Sequence, residues 1–147
     1  VTLLGAPAQA RSHGVYALIE RRLGHYGASG VRTLSGFARA GLADGDTTDF
    51  RGSWSAGLLL DKVFTLRPDS QASVGMHSGC LSDKARATMR DAGTSPKKCE
   101  TTAEVTYADR LLPFMTLQPD IQYVFGPGAD RSASDVLIVG ARLTISD

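Results

Sequence analysis

The chain has 147 residues, 42% hydrophobic and 21% charged, with 16 basic against 15 acidic residues for a formal net charge of +1. That length predicts one domain, and the near-neutral balance excludes the basic excess that marks nucleic-acid binders. The longest apolar run, Gly57-Leu58-Leu59-Leu60, is far short of the roughly 20 residues a membrane-crossing helix needs.

The chain begins at Val1, and residues 5–10, GAPAQA, carry small residues at Ala8 and Ala10, as a signal-cleavage site does. With four residues before it and no charged segment, this stretch reads as the end of a mature N-terminal arm over residues 1–13. Residues 14–147 then alternate between apolar and polar. GVYALIERRL (14–23) is the first predicted strand, with Val15, Ala17 and Ile19 opposite Tyr16, Leu18 and Glu20. The second, 30–43, has Arg32, Leu34, Gly36, Ala38 and Ala40 on one side and Phe37 and Arg39 on the other. An Asp/Gly-rich turn at 43–49 leads to a third strand, 50–60, expected to put Phe50, Gly52, Trp54, Ala56 and Leu58 on one face.

A turn at RPDS (67–70) precedes strand four, 72–81. SDKARATMRDAG (82–93) reads as a short helix with Ser82 as N-cap and Gly93 as its stop. Strand five, 100–108, sets Ala103, Val105 and Tyr107 against Thr102, Glu104 and Thr106. Strand six, FMTLQPDIQYVFGPG (114–128), has one apolar face and one mostly polar face, with Pro119 near its middle. Because proline cannot donate to a ladder, Pro119 predicts a bulge or a free edge. DVLIVGARLTIS (135–146) is the last strand.

The expected fold is therefore all-β: an antiparallel meander of about seven long curved strands, half-barrel-like or a small barrel, with one short helix. Glycines at 36, 41, 52, 57, 75, 79 and 140 sit inside the strands, where they favour strong curvature. Closure as a small eight-stranded barrel with the N-terminal arm is geometrically allowed. It would bury Glu20, Arg51, Glu104, Asp120, Gln122 and Arg142 in a network that is costly unless fully satisfied. An open sheet, its edge or apolar face covered by the arm or by a partner protein, avoids that cost and is the expectation.

The strand–loop–strand context of Cys80 and Cys99 brings the two thiols together, predicting a disulfide and an oxidising compartment. His13, His25 and His77 have no ligand spacing, so no metal site is expected. Glu100 and Glu104 share a face, as the wall of a polar groove would require. Ser78-Gly79-Cys80 and Gly52-Ser53-Trp54 do not form a nucleophile elbow, and Gly126-Pro127-Gly128 lacks the helix of a phosphate cradle. The pairs Arg21/Arg22 and Lys97/Lys98 read as solvated charges. Asp120 and Gln122 are expected beside Arg142 on the neighbouring strand, with Glu104, as polar-face contacts. No catalytic residue and no cofactor are predicted.

The run ETTAEVTY…LLPFMTLQPDIQYVFGPG…SDVLIVGARLTIS resembles the closing strands of the OprB-type carbohydrate-selective porins. The LQPDIQY segment is its most specific piece, and the collinear likeness extends from about Gly14 to Ser146, making 14–147 a porin-like β-sheet domain. A full porin has about sixteen strands and needs well over twice this length; the likeness covers only a C-terminal half. Aromatic residues are 7% of the chain, and it ends Thr144-Ile145-Ser146-Asp147 rather than on the aromatic such barrels use for insertion.

The resemblance leads to an expectation of a non-catalytic, exported, periplasmic accessory subunit of a membrane-bound alcohol dehydrogenase complex. Its implied partners are the quinoprotein dehydrogenase and cytochrome c subunits, whose assembly it would support without binding quinone or haem. The alternative is a shortened carbohydrate-selective outer-membrane porin that passes sugars.

Overall fold

The computed structural model describes residues 11–27 and 32–146. Seven strands form one sheet in sequence order: β1 (Gly14–Tyr26), β2 (Arg32–Ala43), β3 (Phe50–Asp61), β4 (Gln71–Leu81), β5 (Cys99–Leu112), β6 (Met115–Phe125) and β7 (Val136–Ile145). Every neighbouring pair is antiparallel. The sheet does not close: β1 and β7 are its two edges. In a seven-strand antiparallel meander the first and last strands run in the same direction. Joining β1 to β7 would thus make a parallel seam, and an all-antiparallel ring needs an odd number of further strands. The small closed barrel is not formed among the described residues. Residues 1–10 of the expected arm lie outside them; its last part continues along the β2–β3 turn, where Asp44 N–H donates to the His13 carbonyl (2.9 Å).

The β4–β5 connection carries the helix α1 (Asp83–Asp91). Ser82 caps it, its Oγ accepting from Ala85 N–H at 3.1 Å. At the other end Gly93 takes φ +82°, and Gly93 and Thr94 N–H donate to Arg90 and Met89 carbonyls, both at 2.9 Å. That is the left-handed glycine stop the sequence predicts. Cys80 and Cys99 pair directly across β4 and β5 and are disulfide-bonded, with Cα atoms 4.0 Å apart.

The register sorts side chains into two faces, because residues directly opposite across a ladder point the same way. One transverse row reads Ile19, Ala38, Ala56, Met76, Ala103, Tyr123, Leu137; the row one residue over reads Glu20, Phe37, Gly57, Gly75, Glu104, Gln122, Ile138. A single layer has nothing to pack its apolar face against. Among the described residues only Val124 and Ala129 are buried apolar side chains, whereas Ser55, Ser78, Thr102, Thr106 and Asp109 are buried. Large aliphatics stand bare, Val139 at 72% exposure. The usual inside–outside order of a water-soluble domain is reversed, and apolar cover must come from the surroundings.

Two expectations about strands fail. A register shift between Phe50 and Gly52 moves Phe50 off the face of Gly52 and Trp54. Its ring lies 3.3 Å from where a Gly79 side chain would begin, on the polar side of the sheet. Pro119 is at neither a bulge nor an edge. It sits in the interior strand β6 opposite Ala141, and the β5–β6 ladder passes from Thr106↔Asp120 to Asp109↔Leu117 with its register intact. The missing N–H is absorbed by an opening in that ladder, while the bulge of this hairpin falls between Arg110 and Leu112.

Candidate polar-face site

The polar face gathers Glu20, Arg39, Glu104, Thr106, Asp120, Gln122 and Arg142, and its centre is floored by glycine. A Cβ on Gly57 would lie 2.7 Å from Phe37 Cε1 and 3.1 Å from Cζ, so the Phe37 ring lies across the Gly57 backbone. Gly75, next in the row, has no side chain over it. Beyond it stand Glu104 and Gln122. The result is an aromatic plate, a bare backbone floor and a carboxylate–amide wall in one line across five strands, β2 to β6.

The wall is oriented by short-range bonds. Thr106 Oγ1 donates to Glu104 Oε1 at 2.9 Å, and Gln122 Nε2 donates to Asp120 Oδ2 at 3.2 Å. On the other flank Arg39 Nε donates to Ser55 Oγ at 2.6 Å. Asp120 folds over Gly140, where an added Cβ would meet its Oδ1 at 2.7 Å. Of the four predicted contact residues, Glu104, Asp120 and Gln122 therefore come together on one face. Arg142 shares that face, but the register places it opposite Gln118 and leaves Gly140 opposite Asp120, so the expected Asp120–Arg142 pair is not made. Arg51 leaves the expected network as well and reaches Asp83 at 3.7 Å.

Among the described residues, ion pairs gather at the strand ends and turns: Arg51–Asp83, Arg86–Asp83, Arg67–Asp109 and Arg110–Asp69, with His13 Nδ1 also 3.7 Å from Asp44 Oδ2. Asp83 is held below the usual carboxylate range by a hydrogen bond from Arg86 and by that residue's charge, helped by Arg51 and Lys98. The mid-strand Glu20, Glu104 and Arg142 have no ionic partner there, which leaves their hydrogen-bonding capacity directed at whatever fills the space beside the sheet. No group of three His, Cys, Asp or Glu side chains able to hold a metal occurs among the described residues. Such a surface suits weak, reversible contact with a neutral, hydroxyl-rich solute: ring stacking on one side and hydrogen bonds on the other.

Sequence reading missed two elements. The Phe37–Gly57 plate depends on β2–β3 register, which the strands do not announce individually. Asp109 lies just past the predicted end of strand five, yet it is 3% exposed and receives Arg67 Nη1 at 2.5 Å and Tyr107 Oη at 3.1 Å. That ion pair ties the β3–β4 turn onto β5. A lone aspartate in phase with Tyr107 on an apolar face was its only local signal.

A model of the carbohydrate-selective porin family OprB matches residues 3–146. The chain belongs to the OprB family. The fold agrees: the high-pH structure of Pseudomonas putida OprB superposes with a TM-score of 0.80 at 21% identity, covering 91% of this chain and 35% of that one. This OprB-family chain thus spans about a third of that porin's length. No curated protein sequence matches it. In transmembrane β-barrels generally, strands alternate apolar side chains outward with polar ones inward, which is the division seen between the two faces here.

Proposed function

We propose that this chain forms part of the wall of a carbohydrate-selective outer-membrane pore, with its apolar face toward the bilayer and its polar face toward the lumen. The observation that carries the reading is the inverted burial: aliphatic side chains bare on one face, with a polar, glycine-floored face opposite. The Phe37 plate, Glu104 and Gln122 then act as a resting place for a passing sugar ring. The free β1 and β7 edges pair with further strands, an odd number in total, to complete the ring. The longer connections, 82–98 with α1 and 126–135, lie at one end of the sheet, and the two-residue β5–β6 turn at the other. Extracellular loops of such barrels are the long ones, so the α1 and disulfide end faces outward.

The test is ion conductance of the native membrane assembly containing this chain, placed in planar bilayers. Added neutral sugar should reduce the current, and Phe37→Ala or Glu104→Gln should weaken that block several-fold. An assembly that conducts nothing and isolates instead with red, haem-containing subunits would overturn the reading. That outcome would favour the second reading, an accessory subunit of a periplasmic alcohol dehydrogenase complex, for which the same bare apolar face would be a protein-docking surface.

A further inference from the structure

We propose that the cleft between α1 and the β2–β3 turn is a second sugar-binding site, where a neutral sugar ring stacks on Phe50 before it reaches the Phe37 plate. The proposal rests on the pore-wall reading and deepens it. The register shift between Phe50 and Gly52 is what brings the Phe50 ring to the polar side, and bulges beside functional sites re-aim side chains in this way. There the ring lies 3.3 Å from where a Gly79 Cβ would begin. Phe37 over Gly57 is the same arrangement one strand earlier: an aromatic ring on one strand, a glycine on the next. Gly79 is four residues along β4 from Gly75, the partner of Gly57. That sets the second glycine floor about 13 Å further along the wall, toward the α1 end. Phe50 is 57% exposed, which leaves ring surface free for a ligand.

The surroundings of Phe50 supply the rest of a site. Phe50, Leu81 and Met89 form the apolar part and Asp46, Asp49 and Lys84 the polar part of a cleft of about 400 Å³. Small-molecule sites start at roughly 300 Å³. Two bonds hold its walls together: Lys84 Nζ donates to the Asp46 carbonyl at 3.1 Å, and Ser82 N–H to the Asp49 carbonyl at 2.8 Å. An ammonium has three donors, so two remain on Lys84. Among the described residues the Asp46 and Asp49 carboxylates take part in no hydrogen bond or ion pair. A hydroxyl both donates and accepts, so a neutral polyol ring can use the carboxylates and the ammonium together while its flat face covers Phe50. An anion would meet two carboxylates, and an apolar ligand would leave all three charges without partners. None of these residues is on an edge strand: both neighbours of β3 and of β4 are in this chain.

Methionine-methyl NMR of the native membrane assembly locates the ligand, because Met89 lines the cleft whereas Met76 is on the apolar face. On titration with glucose the Met89 signal, assigned by its loss in Met89→Leu, should shift saturably, and the Met76 signal should not. Phe50→Ala should weaken this response several-fold, and Phe50→Tyr, which keeps the ring, should retain it. Sorbitol, with hydroxyls but no ring, should shift Met89 several-fold less than glucose. In planar bilayers Phe50→Ala should slow the onset of block by glucose added on the α1 side and not on the other. The proposal is overturned, and the pore-wall reading left standing, by a Met89 signal that ignores glucose or responds equally in Phe50→Ala. Equal shifts with sorbitol, or equal slowing of block from both sides, overturn it as well. A saturable Met89 shift in an assembly that conducts no ions removes the pore-wall reading but not the sugar site.

Discussion

Removing the Cys80–Cys99 bridge tests whether the β4–β5 connection is held by the fold or by the covalent link. The bridge closes a loop with a sequence separation of 19. In the chain-entropy model such a closure lowers the unfolded state's entropy by about 11 cal/mol/K, or ~3 kcal/mol at 25 °C. Non-covalent ties hold the same connection: Leu81 N–H to the Lys98 carbonyl at 2.9 Å, Ser82 N–H to the Asp49 carbonyl at 2.8 Å, Arg131 N–H to the Ser95 carbonyl at 2.8 Å, and Lys97 N–H to the Ala129 carbonyl at 2.6 Å. A Cys80→Ser/Cys99→Ser variant should keep its strand content by circular dichroism. Its urea midpoint, in detergent micelles, should fall by roughly 1–3 M for a slope of about 1–3 kcal/mol/M. The slope itself should stay the same or rise slightly, since the native surface is the same and the unlinked unfolded chain exposes more. An unshifted midpoint at unchanged slope would refute the reasoning, because it would mean the bridge does not constrain the unfolded chain.

Asp109→Asn removes the charge that Arg67 meets on β5. Hydrogen bonds to charged groups contribute about 1.5–3 kcal/mol, and Arg67 is half exposed, so a loss near 1.5 kcal/mol is expected. Amide exchange in the β3–β4 turn should quicken while β6 and β7 stay protected. The Asp83–Arg86 pair sets a pH window. Because the folded carboxyl titrates below its usual value, its contribution is present above the unfolded carboxylate pKa and is lost only as pH falls through the lowered folded one. Exchange protection of α1 should accordingly hold constant from about pH 7 to pH 5, and Arg86→Ala should raise the Asp83 pKa in a carboxyl-carbon NMR titration.

Local pattern carries some of this architecture unaided. Alternation of period two places Val105 and Tyr107 against Glu104 and Thr106 whatever the neighbours do, since successive side chains on any strand point oppositely. Ser82 and Gly93 bound α1 for reasons contained in the helix's own backbone. Facing cysteines at the two ends of one connection are legible in the same way. Register is different. It arises from ladders between segments that do not specify their alignment separately, and one bulge changes which face a residue joins. Phe50 moved to the polar side on that account, Phe37 found Gly57 instead of a neighbouring side chain, and Arg142 met Gln118 rather than Asp120. The Arg67–Asp109 pair spans 42 positions and exists only because the β3–β4 turn folds back onto β5. Composition and period determined that there would be two chemically opposed faces; only tertiary pairing decided which groups meet on each, because cross-strand neighbours are set by hydrogen-bond ladders between distant stretches of chain.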